Sequence, residues 1–220
     1  MTQKIALITG ASRGLGFSLA EQLALRGWHV VAVARTVGGL EALDDKVKSA
    51  GLPGAGGVTL APMDVTDDGA MRHLCRSIHD RWGGLQLWAH TAIRADALTP
   101  APSVDMGDLD KSIAVNLRAA AALIPMVEPL LRAGQGQALF LDDPMPGTAY
   151  AGAYGITKAG QIALVRAWAA ETRKIGPRVS LLTPAPMPTA VRARFYPGED
   201  RSVLAEPADE ARRLLDQLSA

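Results

Sequence analysis

Tyr154 and Lys158 stand four residues apart in "YGITK", within a segment, 151–174, whose pattern predicts a helix. Residues at i and i+4 share one helix face. A phenol titrating near pH 10 is a poor base at neutral pH, and a cation one turn away stabilises its phenolate. The pair could therefore hold and move a proton at the phenol oxygen, although alone it is also the composition of an ordinary surface pair. Upstream in "LDDPMPGTAYAGAYGITK" lie Asp142 and Asp143, Asp142 being twelve residues before the tyrosine. An ionised carboxylate accepts hydrogen bonds and cannot donate them. Aspartates there could also simply cap a turn before Pro144.

A second cluster is Thr9-Gly10-Ala11-Ser12-Arg13-Gly14-Leu15-Gly16, which follows a strand and opens into a helix. Glycines permit a tight turn and close approach of phosphate oxygens, and the helix N-terminus adds free N–H groups and a favourable dipole. About 20 residues beyond such glycines, dinucleotide folds meet the adenosine ribose. Arg35 occupies that position, 19 residues after Gly16. A carboxylate would repel a 2′-phosphate, whereas a guanidinium grips it, and Arg13 could supply a second cation. The expected cofactor is NADP(H) in preference to NAD(H).

These residues need elements to position them. Strands are expected at 4–9, 29–34, 58–63, 85–89, 137–141 and 178–182, with helices at 15–26, 39–50, 67–80, 105–132, 151–174 and 207–218. Six buried-type strands alternating with helices predict an α/β fold: a Rossmann-type, doubly wound parallel sheet in three layers, as one domain over 1–220. Pro125 and Pro129 should bend the long helix. Residues 184–204 lack periodicity and read as a functional loop or lid.

With 23 basic and 22 acidic residues the net charge is +1, which offers no electrostatic footprint for nucleic acid or an anionic membrane. No apolar run is expected to approach the ~20 residues that span a bilayer, and the N-terminus does not read as a signal peptide. The lone Cys75 permits no internal disulfide and falls on an apolar helix face with Met71, Leu74 and Ile78, so it reads as a buried thiol. A soluble, cytoplasmic protein is expected.

In this order and spacing the motifs resemble those of the short-chain dehydrogenases/reductases, from residue 3 to about 190. Thr9–Gly16 matches the family's TGxxxGxG turn, and Asp64-Val65 the position that contacts adenine. Asn116 lies in the long helix, and Tyr154 with Lys158 matches YxxxK. Pro184, Ala185, Met187 and Thr189 fall in the segment around the nicotinamide. The resemblance implies hydride transfer between the cofactor and a carbonyl or secondary alcohol. Tyr154 would be the general acid in reduction and the base in oxidation. Lys158 would also bond the nicotinamide ribose, and Asn116 would support a water relay to it. The family also pairs helices equivalent to 105–132 and 151–174 across a dimer axis, which makes a homodimer the expectation here.

The pattern is broken in four places. "WAHTA" (88–92) replaces Asn-Asn-Ala-Gly, bringing His90 and Thr91 near the cofactor. Ala185 replaces a glycine. No seventh strand is expected after the sixth. Finally, Asp142 and Asp143 fall over the family's Ser-Ser pair, with Asp142 at the spacing of the catalytic serine. An ionised carboxylate there would repel charge developing on a substrate oxygen and raise the tyrosine's pKa. A protonated aspartate could donate instead. So could Thr91, Thr148 or Tyr150, or the carboxylate could receive a cationic or hydroxylated substrate. The alternative function is an NADP(H)-binding protein with little or no catalysis, a sensor or non-catalytic subunit. The substrate is not legible, although 94–104 and 187–204 should line its site.

Overall fold

The computed structural model describes residues 3–219. Six strands form one parallel sheet: β1 (Ile5–Thr9), β2 (His29–Ala34), β3 (Val58–Pro62), β4 (Leu87–His90), β5 (Gln137–Leu141) and β6 (Arg178–Leu182). Their order is β3-β2-β1-β4-β5-β6. Runs such as "IALIT" and "HVVAVA" are apolar at successive positions because both faces of the sheet are covered. Alternate side chains then supply two cores. Ile5, Leu7, Val31, Val33, Trp88 and Phe140 pack with α3 (Asp68–Trp82), α5 (Ala119–Ala133) and α6 (Gly152–Thr172). Ala6, Ile8, Val30, Ala32, Ala89 and Leu139 pack with α1 (Gly14–Leu25), α2 (Val37–Ser49) and α8 (Pro207–Ser219).

The chain winds outward from β1 to β3 and then returns to lay β4 on the other side of β1. The reversal opens a crevice at the carboxyl ends of β1 and β4, where Thr9 stands in register with His90. The elements that follow those ends must therefore supply the site.

Two expectations are corrected. The long helix over 105–132 is three pieces: α4 (Met106–Ser112), a π-helical segment Ile113–Arg118, and α5. Regular winding is lost before Pro125 and Pro129, both of which lie inside α5. Contrary to the sequence expectation, Met106–Ala133, 28 residues with an 18-residue window of mean hydropathy 1.4, is long and apolar enough to cross a bilayer. In this fold its apolar stripe, including Leu123, Val127 and Leu131, is buried in the core instead. The aperiodic stretch 184–204 also contains a helix, α7 (Ala190–Phe195), and a 3₁₀ turn at Arg201–Val203. Six residues are too few to register as a 3.6-residue period; the signal was the cap, since Thr189 Oγ1 accepts from the Arg192 N–H at 3.3 Å.

Candidate active site

The glycine turn is shaped by steric demands that only glycine meets. Gly10 holds a left-handed φ of +92°, and a Cβ there would stand 2.6 Å from the Ala92 nitrogen. A Cβ on Gly16 would lie 2.3 Å from both the Gly10 carbonyl oxygen and Thr91 Oγ1. Thr91 Oγ1 donates to the Thr9 carbonyl at 2.8 Å, which ties the ends of β1 and β4 together. Arg13 precedes α1 in an extended conformation and makes no side-chain cap, so the first turn presents uncapped backbone N–H groups.

These residues line one end of a cavity of about 910 Å³. Ser12, Gly14, Leu15, Asp64 and Val65 line it as well, with Arg13 and Arg35 at the rim. Arg35 lies 3.7 Å from Asp64 as an exposed ion pair, a contact that holds the guanidinium weakly. Asp64 is fixed separately, its Oδ1 accepting from the Thr66 N–H at 2.9 Å and hydroxyl at 2.8 Å. The cradle that a Cβ would fill, the uncapped helix end and the two arginines fit a phosphorylated dinucleotide.

At the other end of the same cavity, α6 presents Tyr154 and Lys158, both buried. The Tyr154 hydroxyl donates to Asp143 Oδ2 at 2.5 Å. The aspartate facing the tyrosine is thus Asp143, which corrects the expectation that placed Asp142 there. Asp142 still belongs to the sheet ladder, its N–H bonded to the Leu182 carbonyl at 2.8 Å, and successive residues of an extended chain point oppositely. The Asp142 carboxylate accepts from the Asp143 N–H at 2.8 Å and meets Arg166 at 3.2 Å. Asp143 Oδ1 accepts from the Met145 N–H at 2.8 Å, fixing the turn.

Burial pushes the Tyr154 phenol well above its ordinary range, and the charge and hydrogen bond of Asp143 push it further. Burial pushes the Lys158 ammonium down to about 8, against the opposing pull of Asp143 and Asp142. Lys158 Nζ donates to Gln161 Oε1 at 2.7 Å, and Gln161 Nε2 donates to the Asn116 carbonyl at 2.7 Å. The water link expected between Asn116 and Lys158 runs here through a side chain. Asn116 does not line the cavity. Its amide binds the Arg94 backbone through both N–H (2.7 Å) and C=O (2.8 Å) and donates to Thr157 Oγ1 at 2.9 Å, so it fixes a loop and α6. The π-helical turn presents it for this.

His90 and Thr91 also line the cavity; Thr91 Oγ1 and His90 Nδ1 bond within the frame, while the buried His90 Nε2 has no hydrogen-bond partner among the described residues. His90 Nδ1 is 2.8 Å from Thr9 Oγ1, and its ring packs against both Trp88 and Phe140. Burial, then the charge of Lys158, lowers its pKa to about 3, which makes it a neutral packing residue at ordinary pH. Of the three donors considered as stand-ins for serine, Thr91 is engaged with Thr9 and Thr148 with the Met145 carbonyl at 2.8 Å. Neither Thr148 nor Tyr150 lines the cavity.

After β6, Pro184, Ala185, Met187 and Thr189 complete the wall. The Ala185 N–H bonds Glu210 Oε1 at 2.8 Å, and Met187 packs into the core against α8. Sequence reasoning gave no role to two residues, Gln161 and Phe195. Gln161 was detectable, three positions beyond Lys158 on one helix face. Phe195 and Arg192 fall in 187–204, the stretch expected to line the substrate site, and both line the cavity. The approach of the Phe195 ring to within 4.9 Å of Tyr154 and the pairing of Arg192 with Glu199 gave no sequence signal, because only α7 produces them.

A family model described as short chain dehydrogenase matches residues 4–200. An uncharacterized oxidoreductase of Myxococcus xanthus is 31% identical over 189 residues, covering 84% of this chain and 72% of the relative. The 3-oxoacyl-[acyl-carrier-protein] reductase FabG of Escherichia coli is 26% identical, covering 92% and 81%. Among solved structures, a metagenomic short-chain oxidoreductase in complex with NADP superimposes with a TM-score of 0.81 at 26% identity, covering 99% of this chain and 90% of that one.

Proposed function

This chain belongs to the short-chain dehydrogenase family, and from that premise we propose an NADP(H)-dependent oxidoreductase acting on a carbonyl or secondary alcohol. The observation that carries the reading is the single cavity joining the glycine cradle, with Arg13 and Arg35, to the buried Tyr154 and Lys158. When bound, the nicotinamide supplies or accepts the hydride. Gly10, Gly14, Gly16 and the start of α1 would hold the phosphates, and Arg35 with Arg13 the 2′-phosphate. Asp64 and Val65 would border the adenine. Tyr154 delivers a proton to the substrate oxygen in reduction and takes it back in oxidation. Lys158 lends positive charge to the phenol, and Gln161 and Asn116 hold Lys158 in place. Asp143 stands where the family carries its serine and works against the phenolate.

That opposition favours a second reading, a protein that binds NADP(H) with little catalysis. The two separate in one experiment. NADPH binding is followed by fluorescence, and turnover is measured on ketones, aldehydes and quinones. Binding with turnover supports the enzyme, binding with no turnover the sensor or subunit, and no binding overturns both.

The proposed assembly is a homodimer through 105–132 and 151–174, supported by exposed Met106, Ile113 and Ile156 on those helices. An Ile156→Glu variant running at monomer mass in light scattering beside a dimeric wild type would support it; unchanged mass would overturn it. A reducing, cytoplasmic setting is proposed on the lone Cys75, which is free and permits no internal disulfide.

A further inference from the structure

Asp143 carries a charge at the reacting end of the cavity that no cation meets at contact distance. It forms no ion pair among the described residues; of the charges near it, Asp142 pairs with Arg166 and Arg192 with Glu199, while Lys158 bonds the neutral amide of Gln161. Lys158 and Arg192 sense Asp143 only from beyond contact distance. Its Oδ2 accepts from Tyr154, the group that would meet a substrate's reacting atom.

A carbonyl is poorly matched to this arrangement. Its oxygen is only an acceptor and becomes more negative as hydride arrives, so it needs donors on both sides. Here one side is a donor and the other an acceptor bearing negative charge. A protonated carbon–nitrogen double bond reverses both objections. Its N–H donates to a carboxylate, and its positive charge is neutralised rather than replaced by a negative one as hydride arrives. An alcohol hydroxyl would satisfy the acceptor but leave the charge unpaired. Around the carboxylate the wall is largely apolar and aromatic: Tyr154, Phe195, Ile93 and Met145 pack together, and Tyr196 beside Phe195 carries the Arg192 guanidinium over its ring at 4.3 Å. Aromatic faces beside a carboxylate suit an organic cation with an apolar frame.

Resting on the oxidoreductase reading, we propose that this site also reduces, and prefers, carbon–nitrogen double bonds in their iminium form, with Asp143 as the partner of the nitrogen proton. In the balanced step a hydride adds to the iminium carbon, and the C=N π pair becomes the lone pair of nitrogen. The nitrogen keeps its proton, and loss of that hydride with its two electrons oxidises the dihydronicotinamide. The products are a neutral secondary amine and NADP⁺; oxidation of the amine is the reverse.

The test pairs isosteric probes. In binding, 1,2,3,4-tetrahydroisoquinolinium is compared with neutral isochroman by calorimetry on the protein without cofactor. Wild type should prefer the cation about tenfold or more, the range of a charge-assisted contact, and Asp143→Asn should lose that preference. Asparagine keeps the volume and a carbonyl to accept from Met145 N–H, so the turn is retained; a circular dichroism melt checks this. In turnover with NADPH, 3,4-dihydroisoquinoline should outrun 1-tetralone in wild type, and Asp143→Ser should invert the order. Equal binding of both probes, a cation preference that survives Asp143→Asn, or faster tetralone reduction by wild type would each overturn the proposal. Failure of NADPH to bind at all, with the cation preference intact, would instead strike the oxidoreductase reading, because the calorimetry does not involve the cofactor.

Discussion

The two ends of the cavity are built on different principles. The nucleotide end is written in the backbone: Gly10, Gly14 and Gly16 matter for the side chains they lack, and the free N–H groups of α1 need no side chain to aim them. The reacting end is written in side chains whose properties exist only in company. Tyr154 is held high and Lys158 low by burial, and Asp143 shifts both upward. A local motif is thus enough to specify the first end, whereas the second depends on what the fold puts beside it.

The comparison is broken most severely at the reacting end. Tyr154→Phe should lower turnover of a carbonyl by about 10²–10⁴-fold, the usual worth of a general acid, while NADPH affinity changes little. Steady-state kinetics beside fluorescence titration checks this; a parallel loss of NADPH binding would merge the two ends. Gly16→Ala should act in the opposite sense. The added methyl meets the Gly10 backbone, so stability should fall by about 1–3 kcal/mol in urea denaturation, with NADPH binding impaired. An unchanged midpoint would show that the turn is less steric than described.

Arg35→Asp should reverse or abolish the preference for NADPH over NADH, shifting the affinity ratio by about tenfold to a hundredfold. Equal affinities in the wild type would sink the role given to Arg35. A further effect is expected in pH dependence. Lys158 titrates near 8 when folded and near 10.5 as an unburied amine. Below about 8 both states hold the proton and the cost of burying the charge is fully present. Between about 8 and 10.5 the unfolded chain holds more protons, so stability gains with rising pH. Activity should fall over the same window as the phenol loses its cation. Lys158→Met should remove the stability increment relative to wild type in denaturant titrations at pH 7 and 10.

Much of this molecule was legible in one dimension. The apolar runs from "IALIT" to "RVSLL" announced the six strands, because a strand buried on both faces is apolar at every position. The glycine turn and Arg35 were legible from short-range geometry, Asp64 only through the family resemblance, and Tyr154 and Lys158 as a proton-handling pair only in the company of the other motifs; all of them line one cavity. The reading erred by one residue at Asp142 and Asp143, since spacing to Tyr154 does not say where a strand stops alternating. The ladder bond from Asp142 to Leu182, far along the chain, decides that. The π-helical turn under Asn116 and the approach of Phe195 to Tyr154 were equally hidden. The sequence by itself determined the sheet and the nucleotide turn, which follow from periodicity and a local steric rule, and singled out the tyrosine–lysine pair through its place among the family's motifs. Only the tertiary structure decided which carboxylate meets the phenol and that its charge stands unpaired, because burial and long-range contacts set both.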